Sequence, residues 1–277
     1  MVVVVTFVRH GESEDNPKGI WAGWKDAPLS KLGERQAAAL AKSKTLPNPP
    51  ITAIHASPLL RARATGLAIH AAHPHVPFTE HLSLREHCFG DAEGHKWVPT
   101  LPAEFKTFEE ACAAGVYPIP KTRSQKFPGA TSESFEDLRV RAREAVREVV
   151  LPYLNRAVGE KEDGKGEGIQ AHVVIASHGH CITEMIGALH ELDPDAAPRE
   201  DVWMYNTAWM RLELSPKDPL VKTIDPNNPP PLNVKETHTN QREHLDGVEP
   251  HVEEEKSEEN QASDEARAFF GGGVAIR

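Results

Sequence analysis

The sequence is short of positive charge, cysteine, aromatic residues and long apolar runs, and each shortage narrows what the chain can be. Its 31 lysines and arginines are outnumbered by 41 aspartates and glutamates, for a formal charge of −10. That balance argues against a general nucleic-acid binder, which carries a basic stripe. Three cysteines, Cys88, Cys112 and Cys181, are too few and too scattered for a disulfide framework or a zinc site. A reducing compartment is the simplest reading. No stretch approaches the roughly 20 apolar residues that a membrane helix needs. The opening run Met1–Val8 is apolar but short, has no basic segment before it, and meets Arg9 and His10 at once, unlike a signal peptide. The expectation is a cytoplasmic protein with neither nucleic acid nor a membrane as partner.

The composition that is present suits a folded protein. Hydrophobic residues make up 39% and charged residues 26% of 277, enough to bury one large core without staples. The acidic excess is uneven. From Glu236 to Arg277 there are eleven acids and four bases, or −7, which leaves −3 for residues 1–235. We therefore expect a folded domain over 1–235 and an acidic, poorly ordered tail over 236–277 whose removal leaves the fold intact. The polar, proline-rich composition expected of such a tail already begins at Ser215-Pro216, and Phe269-Phe270 at the far end could dock on the body.

Val2–Val8 is β-branched and uninterrupted, as in a strand buried on both faces of a parallel sheet. Ser30 reads as the N-cap of a helix running towards Leu46, where Pro47 stops it. A second strand over Ile51–Ala56 leads through Ser57-Pro58 into a helix to about Ala72, and Val76–Phe78 is a brief third strand. Between about 85 and 131 the alternation breaks down, which marks an insertion. A long helix spans Ser132 to about Leu151, Val173–Ser177 is an interior strand, a helix covers Cys181–Leu192, and Trp209–Leu214 alternates like a last strand. Strands alternating with helices imply an α/β fold with a largely parallel central sheet.

In such sheets ligands gather at the carboxyl ends of the strands. Three of those ends, or the turns after them, carry Arg9-His10-Gly11, Arg61 within Ser57–Thr65, and Ser177-His178-Gly179. Together they make an anion trap with a nucleophile inside. A guanidinium fork matches phosphate oxygens and stays charged, and a histidine held neutral through Nδ1 has Nε2 free to attack phosphorus. A second histidine, if protonated, adds a donor, and the glycines let backbone and ligand approach closely. Positioning and charge stabilisation suffice for this chemistry, so no metal or other cofactor is expected. Arg63, two residues beyond Arg61, faces elsewhere on its helix. The basic residues of the insertion, Lys96 and Arg123 among them, read as a solvated surface.

Val8-Arg-His-Gly-Glu-Ser13 with Asn16, Asp26–Ser30 with Gly33 and Gln36-Ala37, Ser57–Thr65, Leu84–Gly94, Gly129–Ser134 and Ser177–Gly179 stand in one order along residues 1–214. On these segments the chain resembles the histidine phosphatase superfamily, the branch that includes cofactor-dependent phosphoglycerate mutases and related phosphatases. The resemblance implies a three-layer α/β/α sandwich with the 85–131 insertion roofing the site. It implies that His10 is the phosphorylated nucleophile, that Arg9, Arg61 and His178 bind phosphoryl oxygens, that Glu86 is the general acid, and that Asn16 lies near the phosphate or substrate.

Mutases of this family typically carry Tyr-Gly and then Gln-Gly after the acidic residue. Here the segment reads Phe89-Gly-Asp-Ala-Glu-Gly94, Lys96 is out of register with the mutase lysine, and Asp15 stands where mutases usually have tryptophan. The expectation is a metal-independent phosphomonoesterase acting on a small phosphorylated substrate through phosphohistidine. The alternatives are a mutase-type phosphotransferase and a phosphatase-like interaction module. Dimers occur among such proteins, so a homodimer is an assembly that the resemblance allows.

Overall fold

The computed structural model describes residues 2–159, 169–197, 204–221 and 223–248. Its centre is a six-stranded sheet. The strands are β1 (Val2–Arg9), β2 (Ala53–Ala56), β3 (Phe78–Glu80), β6 (Ile169–Ser177), β7 (Trp209–Pro216) and β8 (Leu232–Gln241), in the order β3-β2-β6-β1-β7-β8. β3, β2, β6 and β1 run parallel, whereas β7 is antiparallel to both β1 and β8. The N-terminal run, apolar up to Arg9 except for Thr6, thus becomes β1, buried between β6 and β7.

Both faces of the sheet are covered, which is why β1 tolerates no polar alternation. Val3, Val5, Phe7, Val173 and Ile175 meet helices α4 (Phe135–Ala145), α5 (Leu151–Gly159) and α6 (Gly179–His190) on one side. Val8, Val174 and Ile54 meet α1 (Lys31–Ala41) and α2 (Leu60–Ala72) on the other through Leu40 and Ile69. The result is the expected three-layer α/β/α sandwich with a largely parallel sheet. Gly66 of α2 rides directly on it: a Cβ there would lie 3.1 Å from both Ala56 Cβ and Phe78 Cε2.

Several boundaries differ from expectation for local reasons. Ser30 does cap α1, its side chain accepting from Gly33 N at 3.1 Å, but the helix ends at Ala41, not near Leu46. Ser43 Oγ accepts from Thr45 N and Leu46 N and draws the chain into a turn. The third strand is Phe78–Glu80 and not Val76–Phe78. The long helix begins at Phe135 behind the Ser134 N-cap, in a capping box with Asp137, and continues past Leu151, because a π-helical turn over Val146–Val150 carries it into α5 ahead of Pro152.

The 85–131 insertion has its own order: α3 (Phe108–Ala113), the paired β4 (Trp97–Val98) and β5 (Tyr117–Pro118), and an apolar cluster of Trp21, Phe89, Phe108, Phe127 and Phe135. Its Arg123 is not simply solvated, since it pairs with buried Glu184 of α6 at 2.7 Å.

The larger correction concerns the C-terminal side. The region beyond Ser215 was expected to be poorly ordered, yet Leu232–Gln241 forms β8 along the full length of β7, and the boundary placed at 235/236 falls inside that strand. Removing residues beyond 236 would cut through it. Polar composition concealed the strand because β8 is an edge strand, where a half-exposed polar face is the normal outcome. The acidic stretch over 253–259 and Phe269-Phe270 lie outside the described residues. No helix among the described residues is long and apolar enough to cross a membrane.

Candidate active site

β1 and β6 end side by side, Arg9 opposite Ser177, so the residues following each strand meet at one edge of the sheet. His10 and His178 face each other with ring centroids 5.1 Å apart. Arg9, His10, Arg61, Glu86 and His178 are all buried, none more than 7% exposed. Their charges act on one another: both arginines bear on His10 and His178, and Glu86 bears on both arginines. The structure therefore gathers the five residues into one cluster.

His10 Nδ1 lies 2.7 Å from the Gly11 carbonyl, which can only accept, so Nδ1 carries the proton and Nε2 presents its lone pair. Burial, then Arg61, then Arg9 hold this imidazole well below its ordinary pKa of 6.5, and the neutral form persists at neutral pH. Arg9 is pushed down to about 10 by burial and remains charged; Nη1 donates to the Met204 carbonyl, while Nε is buried with no acceptor. Arg61 sits in the first turn of α2 and donates to the carbonyls of Gly23 and Lys25 at 2.8 and 3.0 Å.

A protonated His178 would add a charged donor; burial first, then Arg61 and His10, hold it neutral. Ser57 Oγ accepts from Leu59 N and lies 2.8 Å from His178 Nε2. In the tautomer in which Nε2 takes the serine proton, Nδ1 carries the ring proton; Nδ1 is buried and has no hydrogen-bond partner among the described residues.

Glu86 is anchored through one oxygen. Oε1 accepts from His87 N at 2.9 Å and from Cys181 N, in the first turn of α6, at 3.2 Å, a favourable place for a carboxylate. Oε2 is left as the oxygen that can carry a proton. The backbone around it is fixed by side chains: Arg141 donates to the carbonyls of Ser83, Arg85 and Glu86, Ser177 Oγ to that of Leu84, and Trp24 Nε1 to Glu86. Arg141 is itself held by Glu133 through two contacts of 2.7 Å.

Asn16 Oδ1 accepts from Ser13 N and Oγ and shapes the loop after β1. One expectation needs revision. Gly11 serves the protein's own packing: a Cβ there would meet the Gly33 carbonyl at 2.7 Å, so the glycine brings this loop onto α1. Arg63 does face away, pairing with Glu80.

Sequence reasoning missed Arg141, Ser57, Thr65, Asn206 and Thr207. Arg141 left a trace, because it interrupts the apolar stripe of α4 between Leu138 and Ala142. Ser57 and Thr65 bound the quoted Arg61 segment. Asn206 and Thr207 left no local signal, since they reach His10 and Arg9 only through the fold.

Comparisons with known proteins fit this arrangement. The chain is 26% identical over 201 residues to a 2,3-bisphosphoglycerate-dependent phosphoglycerate mutase of Bradyrhizobium sp. (strain BTAi1 / ATCC BAA-1182), covering 72% of this chain and 86% of that one. It shares its fold with a solved structure described as mycobacterial hydrolase 1, at a TM-score of 0.61 and 23% identity over 87% of this chain and 99% of that one. A mycobacterial glucosyl-3-phosphoglycerate phosphatase superposes at 0.58 with 23% identity and the same coverage. Residues 5–226 match the histidine phosphatase superfamily (branch 1), and the chain belongs to that family.

Proposed function

We propose that the protein is a metal-independent phosphomonoesterase that hydrolyses small phosphate esters through phospho-His10. One observation carries this reading: beside a neutral histidine with a bare Nε2 stand two buried nitrogens without a partner among the described residues, Arg9 Nε, a donor, and His178 Nδ1, a donor in the tautomer whose Nε2 accepts from Ser57. A buried donor left unpaired costs about 1–3 kcal/mol, and a phosphoryl group supplies acceptor oxygens to both.

In the first step His10 Nε2 attacks phosphorus, the ester P–O bond breaks, and the leaving oxygen takes a proton from Glu86. Arg9, Arg61 and the His178 Nδ1–H meet the charge on the transferred oxygens. In the second step Glu86 accepts a proton from water, the water oxygen attacks phosphorus, and the P–N bond breaks to release inorganic phosphate and neutral His10. The direct test is rapid quenching with base during turnover of a phosphorus-labelled ester. A base-stable, acid-labile label on His10 is expected, and a label elsewhere or none would contradict the mechanism.

A mutase is the second reading, favoured by the name of the bacterial relative. The same phosphohistidine would then return its phosphoryl group to bound substrate. Transfer between substrate positions that accelerates with a bisphosphorylated primer supports it, whereas release of phosphate without primer supports hydrolysis.

A further inference from the structure

The carbonyl of His10 is held from outside its own strand. It accepts from Thr207 N at 3.2 Å and from Asn206 Nδ2 at 3.0 Å, while the amide of the same peptide plane, Gly11 N, donates to Thr65 Oγ1 at 3.0 Å. Thr207 N also donates to the Arg9 carbonyl at 3.0 Å, and the Met204 carbonyl takes Arg9 Nη1. The loop 204–207 therefore fixes the His10–Gly11 peptide plane, after which the Gly11 carbonyl sets the His10 tautomer.

That loop is itself under strain. Thr207 has φ +58°, a left-handed conformation disfavoured for a β-branched residue. What holds it there comes from the segment after β7. Thr207 Oγ1 donates to the Asn206 carbonyl at 2.7 Å and so accepts from His244 Nε2 at 3.0 Å. Asn240 Oδ1 accepts from Tyr205 N at 3.2 Å, and the Arg242 guanidinium lies 4.0 Å from the Tyr205 ring centroid. Buried Leu245 anchors the end of the segment. Asn240 and His244 are 230 or more residues from His10 in sequence.

We propose that Asn240 and His244 are positioning residues for the nucleophile: through Tyr205 and Thr207 they lock the 204–207 loop against the His10–Gly11 peptide. The proposal rests on His10 being the phosphorylated residue. Loosening the loop frees the His10 carbonyl, the peptide rotates, and the Nδ1–H contact that exposes the Nε2 lone pair is lost. Ester binding through Arg61, which is held by Gly23 and Lys25 outside this loop, changes little.

The test measures single-turnover hydrolysis of p-nitrophenyl phosphate by the full chain, with enzyme in saturating excess, so that the rate constant does not depend on the folded fraction. Wild type is compared with His244→Ala, Asn240→Ala, His244→Gln, Lys235→Ala on the exposed side of β8, and His10→Ala. We expect the rate constant to fall about ten- to a hundred-fold in His244→Ala and Asn240→Ala, with half-saturation within about threefold. His244→Gln, which keeps a side-chain donor for Thr207 Oγ1, recovers most of the rate, and Lys235→Ala matches wild type. Unchanged rate constants in both alanine variants, with His10→Ala inactive, would overturn the positioning role and leave the nucleophile standing. No recovery in His244→Gln would count against the hydrogen bond as its means. Hydrolysis by His10→Ala at the wild-type rate would instead remove the phosphohistidine reading itself.

Discussion

The rings of His10 and His178 lie 5.1 Å apart, and both are neutral between two charged guanidinium groups. In the proposed reaction His10 attacks only when unprotonated, and its pKa is held well below 6.5. The profile of kcat/KM against pH should show an acid limb well below 6.5, where His10 gains a proton. An acid limb centred near 6.5 would contradict the burial of His10, and a flat profile would contradict the assigned roles.

Stability should also depend on acid. His55, His172 and His244 are each lowered from 6.5 to about 4, chiefly by burial. Between those values the unfolded chain binds protons that the folded chain does not, so stability falls as pH drops from about 6.5 to about 4. The urea midpoint should therefore be lower at pH 5 than at pH 7.5. A midpoint that stays constant or rises would show that these histidines titrate normally in the fold.

Arg61 uses its planar fork, with Nη1 and Nη2 on different carbonyls. Arg61→Lys keeps a charge but cannot reproduce that fork, and kcat/KM should fall about 100-fold. Arg63→Lys, altering a surface pair with Glu80, should leave turnover within about twofold. Near-normal turnover of Arg61→Lys would place the guanidinium outside the reaction.

Arg141 fixes the segment that carries Glu86 without reaching the phosphoryl pocket through its own hydrogen bonds. Arg141→Met should weaken proton donation more than phosphoryl binding. Its kcat should drop at least about tenfold for alkyl phosphates, whose leaving groups need a proton, and less for p-nitrophenyl phosphate. Equal losses on both substrates, measured by phosphate release, would argue that Arg141 serves stability alone.

These relationships divide into those the sequence could express and those it could not. β1 and β6 were legible because burial on both faces requires uninterrupted apolar runs, and Arg9, His10 and His178 followed because they close those strands. Arg61 and Glu86 were legible through short local patterns. β8 was not, because an edge strand reading Leu232-Asn-Val-Lys-Glu-Thr-His-Thr-Asn-Gln241 has the composition of a loop. Nor were the partners of the site. Asn206 meets His10 across 196 positions and Arg141 meets Glu86 across 55, contacts that only the folded sheet creates. The protonation state of His178 was left open by the sequence, because desolvation depends on packing and leaves no mark in the residue order.

The most direct measurement of the central claim is phosphate release from a panel of small phosphate esters, without added metal, by wild type and His10→Ala. The account predicts hydrolysis of several esters by the wild type and none by the variant. Equal release by both would contradict His10 as nucleophile, and no release by either would contradict the phosphatase itself.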